Sequence, residues 1–95
     1  AAKEAREEAL AAANTRRALR DLAAQRLDAT FIDKGIEVNS VRAAGKDRTT
    51  LRIAYALCGR VFVTQVVRSM GASLQRDGFT RVECDSGFET TWNDL

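Results

Sequence analysis

Two cysteines, Cys58 and Cys84, stand 26 residues apart in a chain that contains no histidine. A thiolate can act as nucleophile, redox centre or metal ligand, but each role needs neighbours. Without histidine the chain cannot run Cys–His or Ser–His chemistry, and it cannot build a histidine metal site. Two thiols alone are too few for a structural zinc. No metal and no cofactor is therefore expected. Whether the pair is bonded depends on redox compartment and not on spacing. The expectation is two free, buried cysteines, and a thiol-based role stands as the third functional reading.

The acids nearest the C-terminus, Glu83, Asp85, Glu89 and Asp94, could pair for acid–base work only if burial or close like charges shifted them. At a turn and a terminus, solvated carboxylates are the default. The six glycines form neither a dinucleotide fingerprint nor a phosphate loop. Five are explained as caps or turns. Gly71 is not, and inside a helix it points to a close approach by the first helix. No catalytic constellation emerges, so the chain reads as a non-enzyme.

Twelve Arg and three Lys face thirteen acids, for a net charge of +2. That mixed balance does not by itself indicate nucleic acid. Arg42, Arg52 and Arg81 fall on the polar face of expected strands, where arginines interleaved with aromatics would suit single-stranded nucleic acid. Phe79 is the one ring expected to be exposed there, and acids sit among the arginines, so a solvated mixed-charge face is favoured.

The elements that position these residues follow from periodicity. Leu19, Leu22, Ala23, Leu27 and Phe31 recur at helical spacing up to a cap at Gly35. From Ile36 the period changes to two. Ile36 and Val38 lead into Val41, the Ala44–Asp47 stretch turns the chain, and Leu51, Ile53, Tyr55 and Leu57 alternate. Val63, Val66, Val67, Met70 and Leu74 make a second helical stripe from about residue 61 to Asp77-Gly78. A second hairpin follows, with Val82 and Cys84 on one strand and Phe88, Thr90 and Trp92 on the other. The expected fold is α+β, a two-layer αββαββ with both helices on one face of a four-stranded, mainly antiparallel sheet. Its expected core also contains Trp92. The segments Phe31–Val38 and Leu74–Val82 echo one another, and much of that echo is shared helix-cap chemistry.

The first seventeen residues, AAKEAREEALAAANTRR, are strongly helical yet hold only one large apolar residue, Leu10. Joined to the patterned stretch they make one helix of roughly 50 Å at 1.5 Å per residue. Residues 1–18 are thus expected to be a helical stalk, and residues 19–95 a single domain. Ala2, Ala5, Ala9 and Ala12 step by three and four and could seat a second helix weakly. Pairs such as Lys3–Glu7 would support the stalk as a spacer instead, and an ordinary solvated extension of the helix is the third reading. With neither an initiator Met nor an N-cap before Ala2, the chain reads as cut from a longer protein or processed. No apolar run approaches 18 residues, so a membrane would be reached only through a segment outside this chain.

These observations point to a non-enzymatic protein-interaction or anchoring domain of a larger, membrane-tethered protein, bacterial by its Ala- and Arg-rich composition. The candidate interaction residues are Ala5, Ala9, Leu10 and Ala12 on the stalk and Arg42, Arg52 and Arg81 on the sheet. The expected partner is another protein or a second copy, through the N-terminal helix. The alternative is a nucleic-acid-binding domain using the three arginines.

Overall fold

A computed structural model describes residues 2–95, with side chains from residue 5 onward. Helix α1 (Ala2–Asp33) is followed by strand β1 (Ser40–Ala44), a 3-10 turn (Lys46–Arg48) and strand β2 (Thr50–Ala54). Helix α2 (Arg60–Arg76) then leads to β3 (Arg81–Asp85) and β4 (Thr90–Asp94). The strands lie in the order β1-β2-β3-β4. The two hairpins are antiparallel, and β2 and β3 run parallel through the α2 crossover. The αββαββ architecture is the expected one; its parallel centre makes the sheet mixed.

Register fixes what each face carries. One face holds Val41, Leu51, Ile53, Val82 and Cys84, all buried beneath the helices. The other holds three rows: Ser40-Ala54-Asp85-Thr90 at the upper end, Arg42-Arg52-Glu83-Trp92 in the middle, and Ala44-Thr50-Arg81-Asp94 at the lower end. Chain direction sets the rest. The segment 55–59, the start of α2, the 86–89 turn and the C-terminal end of α1 all gather at the upper end. The 3-10 turn lies at the lower end.

Both helices stop by the same device. Gly35 (φ 75°) donates its N–H to the Ile32 carbonyl while Ile36 donates to Phe31. Gly78 (φ 96°) donates to Gln75 while Phe79 donates to Leu74. These are Schellman motifs, in which the residue after the left-handed glycine packs back on the last helical turn. Phe79 is accordingly buried against Leu74 in the core, which corrects its expected exposure. Ile36 plays the same part beside Phe31, so Ile36 and Val38 belong to a cap and coil, and β1 begins only at Ser40. Cap chemistry accounts for the echo between the two halves.

The stripe of α1 that faces the sheet is also corrected. It runs through Ala13, Arg17, Arg20, Ala24, Leu27 and Phe31, while Leu19 and Leu22 are exposed. The small Ala24, 1% exposed, lets the helix lie close to the sheet. Arg17 and Arg20 replace apolar contacts with polar ones to the 3-10 turn. Arg17 pairs with Asp47 at 3.1 Å, Arg48 pairs with Asp21 at 2.6 Å, and Arg20 Nη1 donates to the Asp47 carbonyl at 2.9 Å. This clamp holds Asp47 (φ 54°) and Arg48 (φ 56°) in the left-handed region, which costs roughly 1–2 kcal/mol per non-glycine residue. Arg20 also sets the Nε–Nη2 edge of its guanidinium against Gly78, where an added Cβ would sit 2.7 Å from both nitrogens.

Cys58 and Cys84 form a disulfide with a Cα separation of 5.7 Å. The expected free thiols, and with them the thiol-based reading, are overturned, since neither cysteine is free. The bond explains a second correction. To bring Cys58 back over Cys84 the chain turns at Tyr55, whose carbonyl accepts the Cys58 N–H. That turn ends β2 at Ala54 and turns Leu57 out of the expected strand. Tyr55 instead joins Phe62 and Phe31 in an aromatic group, with ring centroids 4.9 and 5.9 Å apart, that closes the upper end of the core. Gly71 meets Val67 and Leu95, not the first helix.

Candidate functional site

The seven residues singled out from sequence fall in two places. Ala5, Ala9, Leu10 and Ala12 are all exposed on the first turns of α1. At 100° per residue, Leu10 lies a quarter-turn or more from the seam of Ala5, Ala9 and Ala12, so the one large side chain does not reinforce it. The Lys3–Glu7 pair and the place of Ala2 in the seam lie outside the described side chains. The clamp fixes α1 at Arg17–Asp21 on the lower end of the sheet. The turns before it therefore project beyond that end, and the molecule measures 52 × 25 × 23 Å.

Arg42, Arg52 and Arg81 do share the open sheet face. Their charge is largely spent within it. Arg52 Nε donates to Glu83 at 3.1 Å and Arg81 Nε donates to Asp94 at 3.1 Å, with a second Arg81–Glu83 approach at 3.7 Å. Counting Asp85, three arginines meet three acids on this face. Arg42 alone has no carboxylate partner among the described residues, and it stands directly opposite Arg52. Trp92 is the other feature of the face. Expected in the core, it is 53% exposed, with the Arg81 guanidinium 4.2 Å above its ring. The reason is register: Trp92 sits opposite Glu83, whereas Thr91 and Asn93 take the helix-side positions of β4. A cleft of about 660 Å³ opens between β4 and the first turns of α2, lined by Arg60, Val63 and Thr64 of the helix and by residues 89–93, Thr90 and Trp92 included.

The feature that sequence reasoning missed is at the upper end. Phe88 is fully exposed in the β3–β4 turn; Leu57 and Val61 are 73% and 72% exposed, and Ile32, in the last turn of α1, is 64% exposed. All four belong to segments that the topology gathers at this end. The turn that lifts Phe88 is locally built: Asp85 Oδ1 accepts the Gly87 N–H at 2.8 Å, and Ser86 N–H donates to the Glu89 carbonyl. Leu57 is turned out by the disulfide. Scattered exposed apolar residues are ordinary, and the presence of four at one end makes that end the candidate contact surface. In the sequence these residues belong to four different segments, and no local pattern joins them.

Among the described residues no group of three or more His, Cys, Asp or Glu is placed to hold a metal ion. No helix among the described residues is long and apolar enough to cross a membrane. Comparison with known proteins returns no matching family model, no matching curated protein and no matching solved structure, so the function is read from the geometry alone.

Proposed function

We propose that this chain is a non-enzymatic protein-interaction domain that presents an apolar tip at the end opposite its helical arm. The observation that carries the reading is the polarity of the molecule. Ile32, Leu57, Val61 and Phe88 are exposed at the upper end. The charged clamp and the projecting turns of α1 mark the lower one. An arm at one end and an apolar surface at the other suit a domain tethered by the first and contacting a partner through the second.

The disulfide supports an oxidising setting, such as a periplasm or an extracellular space, because such bonds persist there and are rare in a reducing cytosol. Covering four apolar side chains would contribute about 6–12 kcal/mol at the usual 1.5–3 kcal/mol each. Association costs at least about 4 kcal/mol. The remainder, at most about 2–8 kcal/mol, corresponds to a contact no tighter than roughly the tens-of-millimolar to micromolar range. The nucleic-acid reading is less well supported, because acids match the arginines on the face it would use.

The test replaces Leu57, Val61 and Phe88 together by Ser. Exposed substitutions of this kind change stability by about 0.5 kcal/mol or less each, so the variant should fold. In extracts of the source cells, the wild-type protein is expected to migrate in a complex with another protein and the variant without that protein. Identical migration of the two proteins, both folded, overturns the reading.

A further inference from the structure

The outer edge of β4 is a strand edge left unguarded. Leu95 N–H donates to the Thr80 carbonyl and Ser86 N–H donates to Glu89, so the bonds to β3 fall on the odd-numbered residues of β4. Antiparallel alternation then points the N–H and C=O groups of Thr90, Trp92 and Asp94 away from the sheet. Edge strands are usually blunted by Lys, Pro, a bulge or a covering helix. β4 contains neither Lys nor Pro, its one charged residue, Asp94, is paired with Arg81 of the adjoining strand at 3.1 Å, and its register with β3 is unbroken. The cleft beside Thr91 and Asn93 leaves the helix side of the strand open as well.

We propose that β4 pairs antiparallel with β4 of a second copy about a two-fold axis at Trp92, joining two four-stranded sheets into one of eight strands. The sequence of the strand, Thr90-Thr91-Trp92-Asn93-Asp94, fits itself in this register. Trp92 meets Trp92 of the second copy. Thr90 meets Asp94 of the second copy, a hydroxyl donor against a carboxylate, and Thr91 meets Asn93. No like charges oppose one another. The three outward residues exchange about six backbone hydrogen bonds, and the Trp pair adds cross-strand contact on the open face. The opposite edge of the sheet fails the same test. Symmetric pairing of β1 (Ser40–Ala44) would centre on Arg42 and set one unpaired guanidinium against another. This pairing is independent of the apolar tip, which lies outside β4.

Thr90→Pro removes an N–H that no bond within the chain uses, and prolines are tolerated at such edge positions. Sedimentation equilibrium of the full chain is expected to show a dimer, with dissociation at least tenfold easier in Thr90→Pro and thermal unfolding of the subunit little changed. A wild-type chain that stays monomeric up to 1 mM overturns the proposal, as does a dimer that Thr90→Pro leaves intact. Should Thr90→Pro fail to fold, Trp92→Cys decides. Directly opposed hydrogen-bonded residues lie about 5.5 Å apart, within disulfide reach. Oxidation is expected to link position 92 to itself, as located by peptide mapping, whereas a dimer linked elsewhere or no link at all overturns the register. The Ser triple variant of the tip should dimerise like the wild type.

Discussion

Reduction of the Cys58–Cys84 bond is expected to remove a large part of the stability of the domain. The bond closes a loop with a sequence separation of 26. In the chain-entropy treatment, cross-linking a loop of that length restricts the unfolded chain by about 12 cal/mol/K, or roughly 3.5 kcal/mol at 25 °C. Domains of this size hold about 5–15 kcal/mol in total. The loss should lower the melting temperature by about 14–28 °C, at 4–8 °C per kcal/mol. Cys84 is fully buried and Cys58 only partly, so Cys58→Ala isolates the bond better than a change at Cys84, which would also disturb the core. The assay is urea unfolding followed by circular dichroism, with and without a phosphine reductant, and with reduction verified by mass. Reduced wild type and Cys58→Ala should unfold at the same, much lower midpoint. A reduced protein that keeps the midpoint of the oxidised one would refute the reasoning, because the bond would then constrain nothing the fold does not already hold.

Other consequences follow from packing. Gly78→Ala combines an unfavourable φ of 96° with a Cβ set against Arg20. A loss of about 2 kcal/mol or more is expected in thermal unfolding, made up of the roughly 1–2 kcal/mol left-handed cost and displacement of the guanidinium. In the Arg20→Ala background the same substitution should cost less, and equal costs in the two backgrounds would discard the contact between Gly78 and the Arg20 guanidinium as its cause. Leu51→Ala, at a fully buried position, should destabilise by about 2–5 kcal/mol, while Leu22→Ala should cost under about 1 kcal/mol, as expected at an exposed site. Comparable losses in urea titrations would restore the abandoned helix face. Removal of residues 2–12 should leave the unfolding midpoint nearly unchanged, since the described side chains there are exposed; a marked fall would mean that those turns support the domain.

Much of the architecture was legible because it rests on local rules. Alternation at Leu51 and Ile53, the stripe from Val63 to Leu74, and the capping glycines at 35 and 78 each report a period or a backbone need that the sequence carries directly. The misreadings share a cause. At Ile36 and Phe79, an apolar residue next to a glycine satisfies both a strand pattern and a Schellman cap, and only the hydrogen bonds to Phe31 and Leu74 separate the two. On α1 the sheet-facing stripe contains Arg17 and Arg20, so a search for apolar spacing settles on Leu19 and Leu22 instead. Trp92 is the only large apolar residue of β4, and it faces outward; hydrophobicity alone would turn it inward. The apolar tip was illegible for a further reason. Its members come from the end of α1, the disulfide-bound segment, the start of α2 and the β3–β4 turn, which the β1–β2 hairpin and the parallel β2–β3 pairing together bring to one end.

The central claim is that the apolar tip, and not the arm, meets the partner. Photo-crosslinking in the source cells with benzoylphenylalanine at position 88, and in parallel at position 10, tests it most directly. Adducts with a discrete protein are expected at position 88, and they should disappear when Leu57 and Val61 are replaced by Ser. Adducts at position 10 alone, with none at position 88, would contradict the account and place the interface on α1.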